Sequence, residues 1–294
     1  MSGRKEKIVS LDEAVKTVKD GSIIAVGGYL NHNSPMTIIR KIIQESVKDL
    51  FIITPTSAGV DADLLIGAGC VRTIFSCYVG AEWLAGVLPN FRRKVEAGEI
   101  EVKECDEFHI IASLRAASEN LPFYPTRTGL GTDLPKVNKD FKEFTDPIKG
   151  EKLLAVPAYK PDVAIIHAQK SDPYGNIQHA GSRFLDYLMA KAAKKTIVTV
   201  EEIIPHEQIL AEPFKTSIPS FLVDYVVRMS WGAHPCSCHG YYNMDEEHIK
   251  TYIEAARKPE DFRKYLEEYV YKPKNHEEYL EKIGLRKLLS LRVF

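Results

Sequence analysis

The sequence lacks most of the features that declare a function on sight. Its 39 lysines and arginines balance 40 aspartates and glutamates for a net charge of −1, so no bulk field draws in nucleic acid or an anionic membrane. No apolar run approaches the ~20 residues of a membrane span. The amino terminus, MSGRKEKIVSLDEAVKTVKDG, is charged and has no apolar stretch of the secretory kind. Five cysteines, Cys70, Cys77, Cys105, Cys236 and Cys238, are odd in number and scattered, which suits reduced thiols. Together these absences predict a soluble cytoplasmic protein with neither nucleic acid nor membrane as a partner.

The common catalytic and cofactor signatures are missing too. GGYLNH lacks the third glycine of a dinucleotide fingerprint, and GxxxxGK[ST] is absent. No HExxH, CxxC or Ser-His-Asp ordering can be assembled. The 14 tyrosines and 12 phenylalanines are dispersed without basic interleaving, unlike a nucleic-acid platform. Neither an internal repeat nor a Ser/Gly- or Pro-rich linker divides the chain.

What is present is an ordinary globular composition, 45% hydrophobic and 27% charged over 294 residues, enough for a large core. Short apolar runs at SIIAVG, LFIITPT, RTIFSCYV, IEVKECD, KLLAVPA, DVAIIHAQ, TIVTVEE and VDYVVRMS read as strands buried on both faces. Helical patterns separate many of them, notably residues 11–21, 36–45, 82–97, 107–119 and 184–193. Alternation of this kind predicts an α/β fold with a single open, mostly parallel sheet flanked by helices. From Asp245 the pattern becomes charged helices with a short apolar tail. The expectation is one domain over residues 1–294, with 245–294 a helical C-terminal extension. Residues 121–147, containing TRTGLGTDLP, are the least regular stretch, and a loop that long is usually functional.

Open parallel sheets bind ligands at the carboxyl ends of their strands. The segment DGSIIAVGGYLNHNSP (20–35) places Gly27 and Gly28 at such an end and Pro35 at the start of a helix. Paired glycines admit a ligand close to the backbone, and a helix amino end offers N–H groups to an anion. A tight turn explains the same pair equally simply.

DGxxhhhGG followed by an aromatic residue and then a proline resembles the signature of the α subunits of family I coenzyme A transferases. Tyr29 stands where phenylalanine is usual, and Asn33 where many members have glycine. The likeness continues through LPFYPTRTGLG, PDVAIIHAQKSDPYGNIQ, AAKKTIVTVEEII and WGAHPCSCHGYY, and is strongest to the glutaconate CoA-transferase α branch. It implies a transferase subunit that moves coenzyme A between carboxylic acids, with a β-subunit partner (αβ or α2β2). Coenzyme A esters would be substrates and no cofactor would be bound permanently. In that family the nucleophile is a β-subunit glutamate forming a glutamyl-CoA thioester. The β-type motif, Glu followed by Asn, Ser or His and then Gly, is absent here; Glu119-Asn120-Leu121 lacks the glycine. The resemblance also implies substrate contacts at Gly27, Gly28, Tyr29, Asn31, His32, Arg127, Gly129 and His234.

The sequence is similar as well to α subunits of ring-cleaving CoA-ester hydrolases of steroid catabolism, which carry a functional glutamate in a segment like that around Glu107 and a similar RxGLG stretch. Here Arg127, Gly129 and Gly131 occupy that stretch. The alternatives are therefore a hydrolase or decarboxylase using Glu107, which a buried site would have to raise toward neutrality, or a non-catalytic binding subunit. As a helix-opening residue, Glu107 also has an ordinary reading, a first-turn acid on the helix dipole. Glutaconate-type chains tend to carry basic residues in the loop at 31–34, suited to a second carboxylate. Asn31, His32, Asn33 and Ser34 are uncharged unless His32 is protonated.

His234, Cys236, Cys238 and His239 invite a zinc reading. No metal is expected, because CxC spacing on an extended chain should send the two thiols apart, unlike CxxC or HxxxH. Asp172, Gly175 and Asn176 fit a turn. Glu201 and Glu202 end a strand on opposite faces, so they are not a paired acid and base.

Overall fold

The computed structural model describes residues 5–293; the first four residues of the charged amino-terminal stretch and Phe294 of the apolar tail lie outside them. Eleven strands form. These are β1 (Ile23–Val26), β2 (Leu50–Ile53), β3 (Val71–Phe75), β4 (Glu101–Lys103), β5 (Phe123–Thr126), β6 (Lys142–Thr145), β7 (Lys152–Pro157), β8 (Val163–Ser171), β9 (Ile177–Gln178), β10 (Lys195–Ile203) and β11 (Tyr225–Arg228). The main sheet runs β11-β10-β8-β1-β2-β3-β4 with β9 added to β8. Every neighbour along the main path is parallel, and only β9 is antiparallel.

Near-continuous apolar runs do what burial on both faces requires. Along β1 and β2, Ile24, Val26, Leu50 and Ile52 enter one core while Ala25, Phe51 and Ile53 enter the other. Burying each large side chain stabilises the fold by roughly 1.5–3 kcal/mol. The first core is covered by α1 (Leu11–Val15), α2 (Met36–Gln44), α3 (Val60–Gly67) and α4 (Pro89–Glu96). The second is covered by α5 (Glu107–Ser118), α6 (Leu134–Val137) near its rim, α7 (Asp186–Ala192) and a separate antiparallel sheet of order β5-β7-β6. A further helix, α8 (His206–Ala211), follows β10. The C-terminal helices α9 (Glu246–Ala256), α10 (Pro259–Leu266), α11 (His276–Ile283) and α12 (Leu285–Leu291) pack on the first face. They and the turn after α10 deliver Ile249, Tyr252, Phe262, Tyr265 and Val270 to its core.

Two local readings change. KLLAVPA does not join the parallel sheet: β7 is buried on alternate residues and pairs antiparallel with β5 and β6. Its partners come from the stretch that reads as irregular, where Pro125, Gly129 and Gly131 interrupt any period. The helix expected over 82–97 is also broken. A 3-10 turn at Glu82–Leu84 precedes Gly86, whose φ of +58° ends it, and Pro89 then opens α4 at a position where its missing N–H costs nothing. Among the described residues no helix is long and apolar enough to cross a membrane.

Candidate active site

The loops at the carboxyl edge of the sheet are stitched together. Leu30 bridges to Ala58, Ala58 to Val79, and His32 to Ser237, so the loops after β1, β2, β3 and β11 form one layer. The loop after β1 is tightly specified. Gly28 (φ +85°), Leu30 (φ 51°) and Asn33 (φ 50°) all lie in the left-handed region, which costs of order 1 kcal/mol for a non-glycine residue and persists only where surroundings over-determine it.

Those surroundings consume the N–H groups that the glycine pair seemed to offer an anion. Gly27 N–H donates to Ile165 O at 2.8 Å, Tyr29 N–H to His32 O, Leu30 N–H to Ser57 O, His32 N–H to Tyr29 O and Asn33 N–H to Ser237 O. Gly28 N–H donates to Asp186 Oδ1 at 2.9 Å. The glycines are needed for close packing within the chain: a Cβ on Gly27 would sit 2.7 Å from Asp186 Oδ1, and one on Gly28 2.6 Å from His32 O.

Asp186 is the hub of this grip. Fully buried, it takes His179 Nε2–H at 3.1 Å on its other oxygen, and His179 Nδ1 meets Ser217 Oγ at 2.6 Å. Two residues earlier in the chain, Phe184 stacks on Tyr29 with ring centroids 5.1 Å apart. The start of α7 thus holds Gly28 by a hydrogen bond and Tyr29 by its ring. The Ser217–His179–Asp186 chain is a buried positioning network, since Ser217 Oγ also donates to Ile177 O.

His32 projects from this loop to the surface, with Nδ1 against Ser237 Oγ at 2.5 Å. Partial desolvation lowers its pKa from the ordinary 6.5, only partly countered by Glu82, and His239 lowers it further; the imidazole is neutral at pH 7. Asn31 is buried, and its side-chain oxygen has no hydrogen-bond partner. His234 lies elsewhere. It is fully buried beneath the C-terminal helices, with Nδ1 at 2.7 Å from Tyr279 OH and Nε2 at 3.2 Å from Asp245 Oδ2. Its carbonyl accepts from Arg40, whose guanidinium lies 3.7 Å from the Tyr279 ring centre.

Glu107 opens α5 and is exposed. It stands near Cys77, whose thiol is pushed up to about 11 by burial and then by Glu107. Asp106 caps α5 in a reciprocal box with His109. Because His109 Nδ1 accepts Asp106 N–H, its Nε2 carries the proton and donates to Thr128 O at 3.1 Å. Gly129 packs on the same imidazole, so that a Cβ there would approach it to 3.1 Å. His109 therefore ties the TRTGLG loop to the helix that carries Glu107. Arg127 is exposed and pairs with Glu151.

The expectation about the two thiols is corrected. Cys236 and Cys238 are both fully buried, because residues two apart on an extended chain share a face and the intervening Ser237 points out. Among the described residues the potential metal donors that converge are instead His167, Glu201 and Cys238, within 4.8 Å of one another. Glu201 is already occupied, accepting Tyr242 OH at 2.7 Å and the amides of Trp231 and Gly232. As the strand alternation requires, Glu202 faces outward. Asp172 is buried and closes its turn on Tyr174 and Asn176.

Sequence reasoning passed over Asp186, His179, Ser217, His109 and Ser237. Only His109 left a signal, three residues after a helix-capping aspartate. Asp186 acts across 158 positions, which no local pattern records.

A parallel sheet with a braced glycine loop at its carboxyl edge matches the coenzyme A transferase family over residues 8–229, and the chain belongs to that family. Within it, the chain is similar to one of the two kinds of subunit that such transferases contain, the A type. It is 37% identical to the A-type chain of glutaconate CoA-transferase from Acidaminococcus fermentans, covering 98% of this chain and 95% of that one. The crystal structure of that transferase superposes with a TM-score of 0.93 over 98% of this chain and 96% of the other. The chain is also 32% identical to the cholesterol ring-cleaving hydrolase IpdA subunit of Rhodococcus jostii, over 92% of this chain and 94% of that one. An uncharacterized protein of Archaeoglobus fulgidus is 42% identical over 97% of this chain, which spans only 64% of that protein's length.

Proposed function

We propose that this chain is the α subunit of a heteromeric CoA-transferase that moves coenzyme A between carboxylic acids, with the glutamate nucleophile on an unlike partner chain. The observation that carries this reading is the 37% identity and TM-score of 0.93 to a glutaconate CoA-transferase across 98% of the chain. The site geometry agrees with a supporting role. The carboxylate that reaches the braced loop, Asp186, is buried and spent on Gly28. A carboxylate attacks a thioester well only when desolvated and faced by donors for the tetrahedral oxyanion. This chain supplies a rigid wall for such a site: Gly28 and Tyr29 held by α7, with Asn31 and His32 beyond them. Arg127 and Gly129 would border it from the loop tied down by His109, and His234 would act only by supporting the loop that carries Ser237.

The chemistry follows from that division. The partner's glutamate would attack the acyl-CoA carbonyl, exchange into a glutamyl-CoA thioester with release of the carboxylic acid, and then pass coenzyme A to the incoming acid. The test is to incubate the purified complex of the two chains with an acyl-CoA and measure the mass of each chain. A coenzyme A adduct on the partner alone supports the reading. No adduct, together with steady release of coenzyme A or acid into water, sinks it.

A second reading, a CoA-ester hydrolase, is favoured by one feature: Glu107 is exposed at the same sheet edge, in a chain 32% identical to a ring-cleaving hydrolase subunit. Under it, Glu107 would be the base that activates water.

A further inference from the structure

The loop that carries His32 forms one wall of a cleft of about 610 Å³, whose other walls come from residues 237–246 and the chain's carboxyl end. That volume lies within the range of small-molecule sites. Its polar surface is a row of hydrogen-bonding groups: the His32 imidazole, the Ser237 hydroxyl it touches at 2.5 Å, His239 and Asn243, with Met244 as an apolar flank. The one carboxylate in the lining is Glu246, and neither lysine nor arginine lines it. Glu82 adds a second negative charge close enough to act on His32.

This electrostatic pattern decides between two kinds of acyl group. A dicarboxylic acyl chain would bring a second negative charge into a wall with no fixed cation and at least one anion, and would lose its hydration without an ion pair in return. A hydroxyl or ketone would find both donors and acceptors. A wall built to hydrogen-bond a polar group also discriminates against a chain lacking it, because its own groups are left unpaired.

We infer that this cleft is the seat of the distal end of the acyl chain and selects acyl groups bearing an uncharged hydroxyl or keto group over dicarboxylic ones. The inference rests on the transferase reading above for the location of the acyl group. Ser237 and His32, 205 positions apart, are the specificity-determining pair, and the hydrogen bond between them keeps each oriented toward the cleft.

The experiment uses the complex of this chain with its partner and four acceptor acids of similar length: 3-hydroxybutyrate, acetoacetate, butyrate and succinate. The expected result is a kcat/KM at least about tenfold higher for the hydroxy and keto acids than for succinate, with butyrate between. His32→Arg should shift the ratio of succinate to 3-hydroxybutyrate by about tenfold or more toward succinate, and Ser237→Ala should narrow the gap between 3-hydroxybutyrate and butyrate. Preference for succinate in the unsubstituted complex, or equal loss on all four acids in both variants, overturns the inference. Absence of exchange with every acid would strike the transferase reading instead. In that event the affinities of the complex for 3-hydroxybutyryl-CoA and succinyl-CoA, measured by calorimetry, still decide the matter: tighter 3-hydroxybutyryl-CoA supports the selective wall and tighter succinyl-CoA overturns it.

Discussion

Two regions of this chain are equally rich in histidine and acid, yet only one faces outward. Beneath the C-terminal helices, His234, Asp245, Tyr279, His248 and Arg40 are all at least nine-tenths buried and engage one another or the backbone. Burial pushes His248 down to about 3. Burial alone would raise Asp245, but the hydrogen bonds from His234 and the His248 amide bring it to about 2. At the carboxyl edge of the sheet, His32, Ser237, His239 and Glu107 are half-buried or exposed and open toward space that a ligand or partner can fill. Titratable residues mark chemistry only where their hydrogen-bonding capacity is not spent inside the chain. The segment GAHPCSCH holds both kinds: His234, Cys236 and Cys238 turn inward, while Ser237 points out and His239 lines the cleft.

The largest effect that separates the two regions should come from His234→Ala. It leaves Asp245 and Tyr279 without their partner and opens a void, and should cost about 3 kcal/mol in urea-unfolding experiments. Turnover per folded molecule should stay within about threefold; a selective rise in KM with stability intact would move His234 into the substrate site.

An effect of similar size is expected from pH. Burial pushes the Asp61 carboxyl up from 3.8 to about 6, against hydrogen bonds from the Ala62 and Gly59 amides. Between these two values the folded chain holds a proton that the unfolded chain releases, so this group's contribution to stability falls as pH rises from about 4 to 6 and is level above. Its size is about 3 kcal/mol. The difference in unfolding free energy between the natural chain and Asp61→Asn, followed from pH 4 to 7, should carry that slope; a flat difference refutes it.

At the sheet edge, Asp186→Ala should lower kcat/KM of the complex by about tenfold or more, by freeing Gly28 from its acceptor. Asp186→Asn keeps a carbonyl oxygen for the Gly28 N–H and should recover activity to within about threefold. Equal losses in both variants would show that charge, and not the placement of Gly28, is what matters. Smallest is Glu107→Gln. On an exposed first turn it should change stability by less than about 0.5 kcal/mol and transfer by less than about threefold, whereas abolished turnover would favour the hydrolase reading.

Much of the fold was legible because burial on both faces writes itself into composition. Runs such as DVAIIHAQ and TIVTVEE can be read as central strands without any partner in view. The β5-β7-β6 sheet was not, since its strands are short, carry Pro125 and Pro157, and expose one face. For the site, the sequence pointed to the right loop at the right end of β1 and to the wrong use of its amides. The glycine pair is explained by Asp186, His32 and Asn33 crowding it, contacts that exist only once α7 has docked. His234 was misplaced for a related reason: the tyrosine and aspartate that bury it, Tyr279 and Asp245, belong to the C-terminal helices and their cap, and nothing local to GAHP reveals them.

The central claim is that this chain is a complete fold holding part of an active site. It is tested most directly by following transfer of coenzyme A from an unlabelled acyl-CoA to an isotopically labelled free acid, with the chain alone and with its partner. The account predicts no exchange by the chain alone and labelled acyl-CoA formed at steady rate by the pair. Exchange by the chain alone, or coenzyme A released by the pair with no labelled acyl-CoA formed, would contradict it.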